Sequence, residues 1–397
     1  MVSEGNARGG VPDGVVVFGG IDWWYHNQGH SDVQIAKQLV RDHKVLWVNS
    51  IGMRAPRPGK TDLVVTRYVR KLKSTMRALR TDPSGVKVLS PLFIPAYSDA
   101  AIKRNGALIN AEVKLALRTM GVKNPAAFIT VPTAVDAVLG RDYTRVVFNR
   151  SDVFSAFPDV DGEVIGRAER RLLAEADEVM FVNHGLMDDE ADQTTSHTFL
   201  GHGVDVEHFS SARPLDGPPH TPPPELADLP RPLIGFYGAL DDYTVDLDLF
   251  VRTARRMPDA SVVVIGPKQM DIGALDAARN IHYLGPIPYP DLPRYAAEFD
   301  VGLMPWLQTE WIERCNPIKL KEYLALGFPV VSTPFPELAP YADVVRAVSP
   351  DGFADAVAET LADGPVDPDE VQRRREWMGE STWEAVALRV RESLKLP

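Results

Sequence analysis

The sequence predicts an α/β fold: two doubly wound, Rossmann-like domains of parallel strands facing each other across a cleft. Three observations predict it. Apolar strand patterns alternate with helical patterns along the chain, as in successive βαβ units. Two of those strands, GVVVFGG at residues 14–20 and PLIGFYGAL at residues 232–240, run into glycine, and each starts a fresh series. Between the series, residues 210–232 hold 8 prolines in 23 positions, a boundary composition. At 397 residues the chain also exceeds one ordinary core. The expected division is a first domain at 1–208, a proline-rich segment at 209–231, a second domain at 232–375 and a C-terminal helix at 376–397 that packs back toward the first domain.

In the first series, strands are expected at 14–20, 44–49, 86–92, 126–131, 145–149 and 178–183, with helices at 33–41, 102–120 and 162–176. A short strand and turn follow at 197–209. In the second series, strands are expected at 232–240, 260–267, 281–287, 301–306, 329–333 and 344–348. Helices are expected there at 246–256, 289–298, 316–327 and 353–361, with a last one at 383–394. In such sheets a ligand binds where the strands' carboxyl ends meet a reversal of strand order. The glycine pair Gly19 and Gly20 permits close backbone approach there, although it is no GxGxxG fingerprint.

Composition narrows the function. Net charge is −11, which argues against general nucleic-acid binding. A single cysteine, Cys315, excludes an internal disulfide and a thiolate zinc site. No apolar run reaches 18 residues, and the N-terminus MVSEGNARGG lacks a signal-peptide core. A cytoplasmic protein is therefore expected, with peripheral attachment to the inner face of the membrane as an extension. That extension rests on residues 54–80, which hold nine Lys or Arg and one acid. Val69, Leu72, Met76 and Leu79 make an apolar helical stripe there, so residues 66–80 are a candidate contact for an anionic membrane surface. The alternative is a core-packed helix with a solvated basic side.

The stretch NPIKLKEYLALGFPVVST, residues 316–333, reads as a short helix followed by a buried strand. Asn316 is expected to cap it and Pro317 to take its first position. A helix N-terminus favours an anion, usually phosphate, and Lys319 adds a positive charge in the first turn. Glu322, one turn on, would accept hydrogen bonds from ribose hydroxyls. The plainer reading is a surface helix with a Lys319–Glu322 pair worth tenths of a kcal/mol.

Taken together, several segments resemble the GT-B glycosyltransferases, specifically the glycosyltransferase family 4 or group 1 type of bacterial polysaccharide and glycolipid assembly. LGHGVDVEHF resembles the family's domain-junction motif, and GFYGAL its donor-domain glycine turn. NIHYLGPIPYPDLPRYAAEFDVGLMPW resembles the segment whose loop holds the base, and KLKEYLALGFPVVST the donor helix and following strand. The resemblance implies transfer of a sugar from a nucleotide-diphosphate sugar to a hydroxyl of a saccharide, lipid-linked saccharide or small-molecule acceptor. It implies retention of configuration, no metal and no cofactor beyond the nucleotide sugar as co-substrate.

Carried across by residue, it implies that Glu322 binds ribose and that Asn316, Pro317 and Lys319 lie at the diphosphate. Ile287 would contact the base, Gly238 would lie under the phosphates, and Gly19 and Gly20 would approach the donor from the first domain. The loop from 22 to 30 would face the acceptor, with Asp22, Trp23 and Trp24 as contacts and His184 beside them. Two departures stand out. Where the family often places the first glutamate of a Glu-x7-Glu pair, this chain has Arg314, and Glu313 is one position off. The cations usual after the donor glycine turn are replaced by Asp241, Asp242 and Asp246. Arg314 and Lys268 are the substitutes available to a phosphate.

Candidate bases for the acceptor hydroxyl are Asp152, His30 and His26, with capping or packing as each one's alternative. In a retaining enzyme the leaving phosphate can take that proton, so no base is required. No metal site is expected: Asp159 with Asp161 reads as a helix cap, and Asp246 with Asp248 as helix interior. Two rivals remain, a non-catalytic carbohydrate-binding scaffold and a nucleotide-sugar 2-epimerase.

Overall fold

The structure is a computed structural model, which describes residues 10–24, 29–49, 73, 78–94, 98–157, 160–216 and 221–397. The chain divides into two compact units. One comprises Met1–Gly201 with Trp383–Pro397, the other His202–Thr382. The division falls at residue 201, ahead of the proline-rich segment, because the turn after the last strand of the first unit already pairs with the second: Val204 N–H donates to the Ser381 carbonyl (2.9 Å). The proline-rich segment lies inside the second unit, where it holds a short helix, Pro224–Ala227, and a cis Arg231–Pro232 bond.

The first unit is built on eight strands: β1 (Gly14–Phe18), β2 (Val45–Val48), β3 (Leu79–Thr81), β4 (Lys87–Leu89), β5 (Pro125–Ile129), β6 (Val146–Arg150), β7 (Glu178–Phe181) and β8 (His197–Phe199). Their order is β3-β4-β2-β1-β5-β6-β7-β8, parallel except for the β3–β4 pair. Strand β1 reads GVVVF and is buried throughout, as expected for a strand with helices on both faces. The order reverses between β1 and β5. There Gly20 N–H and Thr130 Oγ1 both donate to Asp32 Oδ2 (3.0 and 3.2 Å), tying the turn after β1 to the end of β5. The helix Trp383–Ser393 belongs to this unit and packs on the helix Ser31–Leu39.

The second unit has β9 (Leu233–Tyr237), β10 (Ser261–Ile265), β11 (Ile281–Gly285), β12 (Val301–Met304), β13 (Val330–Ser332) and β14 (Val345–Ala347). The order β11-β10-β9-β12-β13-β14, all parallel, is the doubly wound Rossmann order, with its switch point between β9 and β12. Gly238 follows β9 at that point.

Several expectations are corrected. Leu79 and Arg80 lie in β3, paired with β4, and so leave the expected amphipathic helix; the rest of 66–80, Lys73 and Ala78 apart, lies outside the described residues. Asp246 caps the helix Leu247–Arg256, accepting from Asp248 N–H (3.0 Å), because a short carboxylate does better at an N-cap than inside a helix. A helix at Pro368–Gly379 was not expected: its charged sequence PDEVQRRREWMG hides the apolar period, although Asp367 at the cap and Pro368 at the first position signal its start.

Gly19 is fixed by packing. A β-carbon there would lie 1.9 Å from the Trp47 ring, whereas one on Gly20 would meet nothing closer than 3.7 Å. Gly19→Ala should therefore lower the urea unfolding midpoint of the first unit by the equivalent of about 1–3 kcal/mol, and Gly20→Ala by less than about 0.5 kcal/mol. Equal midpoints for the two variants would show that the Trp47 packing does not set this turn.

Candidate functional site

At the switch point of the second unit, two elements converge: the turn after β9 and the helix Ile318–Leu326 that precedes β13. Residues Leu320 to Leu326 are all buried, so this helix crosses the interior and is no surface helix. It ends at Gly327, whose φ of +86° suits a left-handed C-cap. Its N-terminus differs from expectation. Pro317, in extended conformation, occupies the cap position, and no side chain caps the helix. Asn316, one residue earlier, donates from Nδ2 to Glu337 (3.5 Å). Proline brings no side-chain acceptor to the cap, so the first N–H groups of the helix are left to other partners.

Lys319 dominates the site. Its ammonium lies 4.1 Å from the Phe236 ring centroid and 5.8 Å from that of Trp306. A β-carbon on Gly238 would come within 2.5 Å of Nζ, so glycine lets the ammonium rest on the turn itself. Gly238 has φ +153°, and a β-carbon on neighbouring Gly266 would collide with the Gly238 carbonyl at 1.8 Å. Burial lowers the Lys319 pKa to about 8 against the pull of Cys315, Glu322 and Asp241, in that order. Its close contacts are ring faces, and no described carboxylate lies within ion-pair distance of it.

Lys319 is half-buried, whereas Glu322, one turn on, is buried. Tyr237 OH donates to its Oε2 (2.8 Å) and Tyr289 OH to its Oε1 (3.0 Å). Burial raises its pKa to about 7, although both hydroxyls and Lys319 favour the charged form. Sequence reasoning missed these two tyrosines. The signal was available, since Tyr237 directly precedes the glycine turn and Tyr289 sits in the loop of Ile287. Ile287 is half-buried against the same core. Lys268 is exposed, and its backbone bridges Leu240, beside the Gly238 turn. Arg314 is half-buried at the C-cap of the helix Glu310–Glu313. Asp241 is spent locally, accepting from Thr244 N–H (2.8 Å) and Oγ1 (2.6 Å).

In the first unit the expected residues scatter. Trp23 is corrected from acceptor contact to core: it is 1% exposed, its indole N–H donates to Asp82 (2.9 Å), and its ring meets Trp47 edge-on. Asp22 is buried and accepts from Trp24 N–H (3.1 Å) and Asn49 Nδ2 (3.4 Å). Trp24 is half-buried, His30 is exposed at the start of the helix Ser31–Leu39, and His26 lies outside the described residues. His184 is exposed and stacks on Phe199 at 3.9 Å. Asp152 follows β6, and burial raises its pKa to about 6. Beside it Arg150 is buried and neutralised by Glu169 and Glu190, while donating to the Asp152 carbonyl (2.6 Å).

Residues 231–363 match the family described as "Glycosyl transferases group 1". The protein named as the teichuronic acid biosynthesis glycosyltransferase TuaH of Bacillus subtilis (strain 168) is 26% identical over 211 residues, covering 49% of this chain and 51% of that protein. This chain thus spans about half the length of the curated relative it matches. Sucrose-phosphate synthase from Thermosynechococcus elongatus superposes with a TM-score of 0.68 at 14% identity, over 96% of this chain and 98% of that one. A trehalose-6-phosphate structure from E. coli, bound with UDP-2-fluoro glucose, gives 0.64 at 14% identity over the same shares, 96% and 98%. At such identities the likeness is one of fold, and the fold is GT-B.

The raised pKa of Glu322 has a signed consequence. The folded state holds this proton up to about pH 7, while the unfolded chain loses it near pH 4.5. The group therefore contributes stability that is fully present below pH 4.5 and lost as pH rises through about 7. Urea midpoints of the ligand-free protein should show this decline in wild type and a shallower one in Glu322→Gln. Identical slopes would contradict the burial of this carboxyl.

Proposed function

Given a glycosyl transferases group 1 segment on a GT-B fold, we propose that this chain moves a sugar from a nucleoside-diphosphate sugar to a hydroxyl of a saccharide, lipid-linked saccharide or small-molecule acceptor. The observation that carries this reading is the Lys319 ammonium held over the Gly238 turn, one helical turn from the Glu322 carboxylate. The diphosphate lies on that turn, between Lys319 and the helix N-terminus, with Pro317 and Asn316 at its edge. The ribose hydroxyls donate to Glu322, and the base lies along the loop of Ile287. Arg314 and Lys268 are the reserve cations.

In this reaction the bond from the anomeric carbon to the phosphate oxygen breaks, its electron pair leaves with the diphosphate, and the acceptor oxygen bonds the same carbon. Charge grows on the departing oxygen, where fixed positive charge stabilises the transition state. The helix end and Lys319 supply it, so metal independence is part of the proposal. So is retention, with the acceptor's proton passing to the leaving phosphate. Asp152, with its pKa of about 6, is the candidate base from the first unit should the proton pass to protein instead. His30 and His26 are secondary candidates. A lipid-linked acceptor would agree with membrane contact through residues 66–80, which is proposed here on sequence alone.

The test is a thermal-shift panel of UDP, GDP, ADP and TDP with their common sugars. A fold relative was solved with UDP-2-fluoro glucose bound, so UDP leads the panel. A ligand at 100 times its Kd adds about 2.7 kcal/mol. One nucleotide series should stabilise the wild type. Lys319→Ala should abolish that shift, and Glu322→Ala should weaken binding by about 2–3 kcal/mol. Full affinity in either folded variant would refute the assignment, and sugar binding without any nucleotide response would favour the scaffold.

A further inference from the structure

We infer that Tyr237 and Tyr289 are positioning residues that aim Glu322 at the donor's ribose and thereby make the second unit selective for ribonucleotides. The inference rests on the donor-site reading above and adds to it the two side chains that set the specificity. Each oxygen of the Glu322 carboxylate accepts one phenol, Oε2 from Tyr237 at 2.8 Å and Oε1 from Tyr289 at 3.0 Å. Above about pH 7, where Glu322 gives up its proton, the carboxylate has about four acceptor positions, so about two remain, one per oxygen. With a phenol on each side, the group cannot turn about its terminal bond without breaking both contacts. The remaining lone pairs therefore point in fixed directions.

The phenols are themselves held from behind. The Tyr237 ring meets Tyr323 edge-on at 4.9 Å, and its backbone N–H donates to Tyr323 OH (3.2 Å). The Tyr289 ring packs on Phe209 at 5.9 Å and His208 at 5.8 Å, and His208 Nε2 lies 3.5 Å from the Tyr289 carbonyl. Phe209 and His208 belong to the segment VDVEHF, which thus buttresses the loop that carries Tyr289. Of the charged groups nearby, Lys319 on the same helix favours the ionised form of Glu322, and Asp205 helps hold the Tyr289 phenol in its protonated, donating form.

A carboxylate with one free acceptor position on each oxygen matches a vicinal diol, which offers two donors side by side. Ribose carries such a diol, and a dideoxyribose carries none. A site built to hydrogen-bond a substrate hydroxyl discriminates strongly against the analogue that lacks it, because the buried acceptor is then left unpaired. Were the tyrosines only satisfying a buried carboxylate, their loss would weaken every nucleotide alike.

Binding of UDP, GDP and ADP, each beside its 2′,3′-dideoxy counterpart, separates the two roles. Tyr237→Phe and Tyr289→Phe keep the ring packing and remove only the hydroxyl. Wild type should bind its preferred ribonucleotide at least about tenfold more tightly than the dideoxy form. Each variant should narrow that ratio about threefold or more, with dideoxy affinity within about twofold of wild type. An unchanged ratio, or an equal loss for both nucleotides, overturns the inference while leaving the donor site standing. A wild type that binds none of the three ribonucleotides overturns the donor site and the inference with it.

Discussion

The arrangement of the second unit turns on one interaction, the Lys319 ammonium resting on ring faces over a glycine turn. Aromatic faces stabilise a desolvated cation by roughly 2 kcal/mol without neutralising it. Arg150 in the first unit shows the contrast. Its guanidinium is deeper than the half-buried Lys319, but Glu169 and Glu190 take up its charge, so it organises the end of β6 and offers little to a ligand. Lys319 keeps its charge uncommitted, and burial makes that charge costly, as its lowered pKa records. An arriving anion would relieve that cost.

The glycines follow from the same constraint. Gly238 holds φ +153°, which side chains rarely adopt, and a β-carbon there would push the Lys319 ammonium off the turn; Gly266 must lack a side chain because the Gly238 carbonyl occupies its space. Rossmann order places β9 at the switch point, so the turn after it is the place where the helix Ile318–Leu326 can bring a cation and a carboxylate one turn apart. Glu322 is the complement of Lys319: a buried acceptor whose charge is held by two phenols and a nearby ammonium.

Much of this was legible in the sequence. Strands such as GVVVF, LIGFY and SVVVI are buried throughout and read as parallel strands because they must be apolar on both faces. Lys319, Glu322 and Gly238 were legible because helix position and glycine placement are local signals. What was not legible depended on tertiary contact. Trp23 looked like an exposed aromatic in a polar loop, and only its bonds to Asp82 and Asn49 show it as core. Asn316 looked like a cap, yet Pro317 took that position. Tyr237 and Tyr289 are 52 residues apart; their neighbourhoods mark each as near the donor site, but only the fold shows that both reach Glu322.

The central claim, that the anion of a donor restores the charge of Lys319, is tested most directly by calorimetry. The binding enthalpy of the responding nucleoside diphosphate would be measured at pH 8 in buffers of different ionisation enthalpy. With a pKa of about 8, Lys319 is about half protonated there, so binding should draw roughly half a proton from the buffer. Binding with no buffer dependence of the enthalpy would contradict the account, since the phosphate would then be met by a cation other than Lys319.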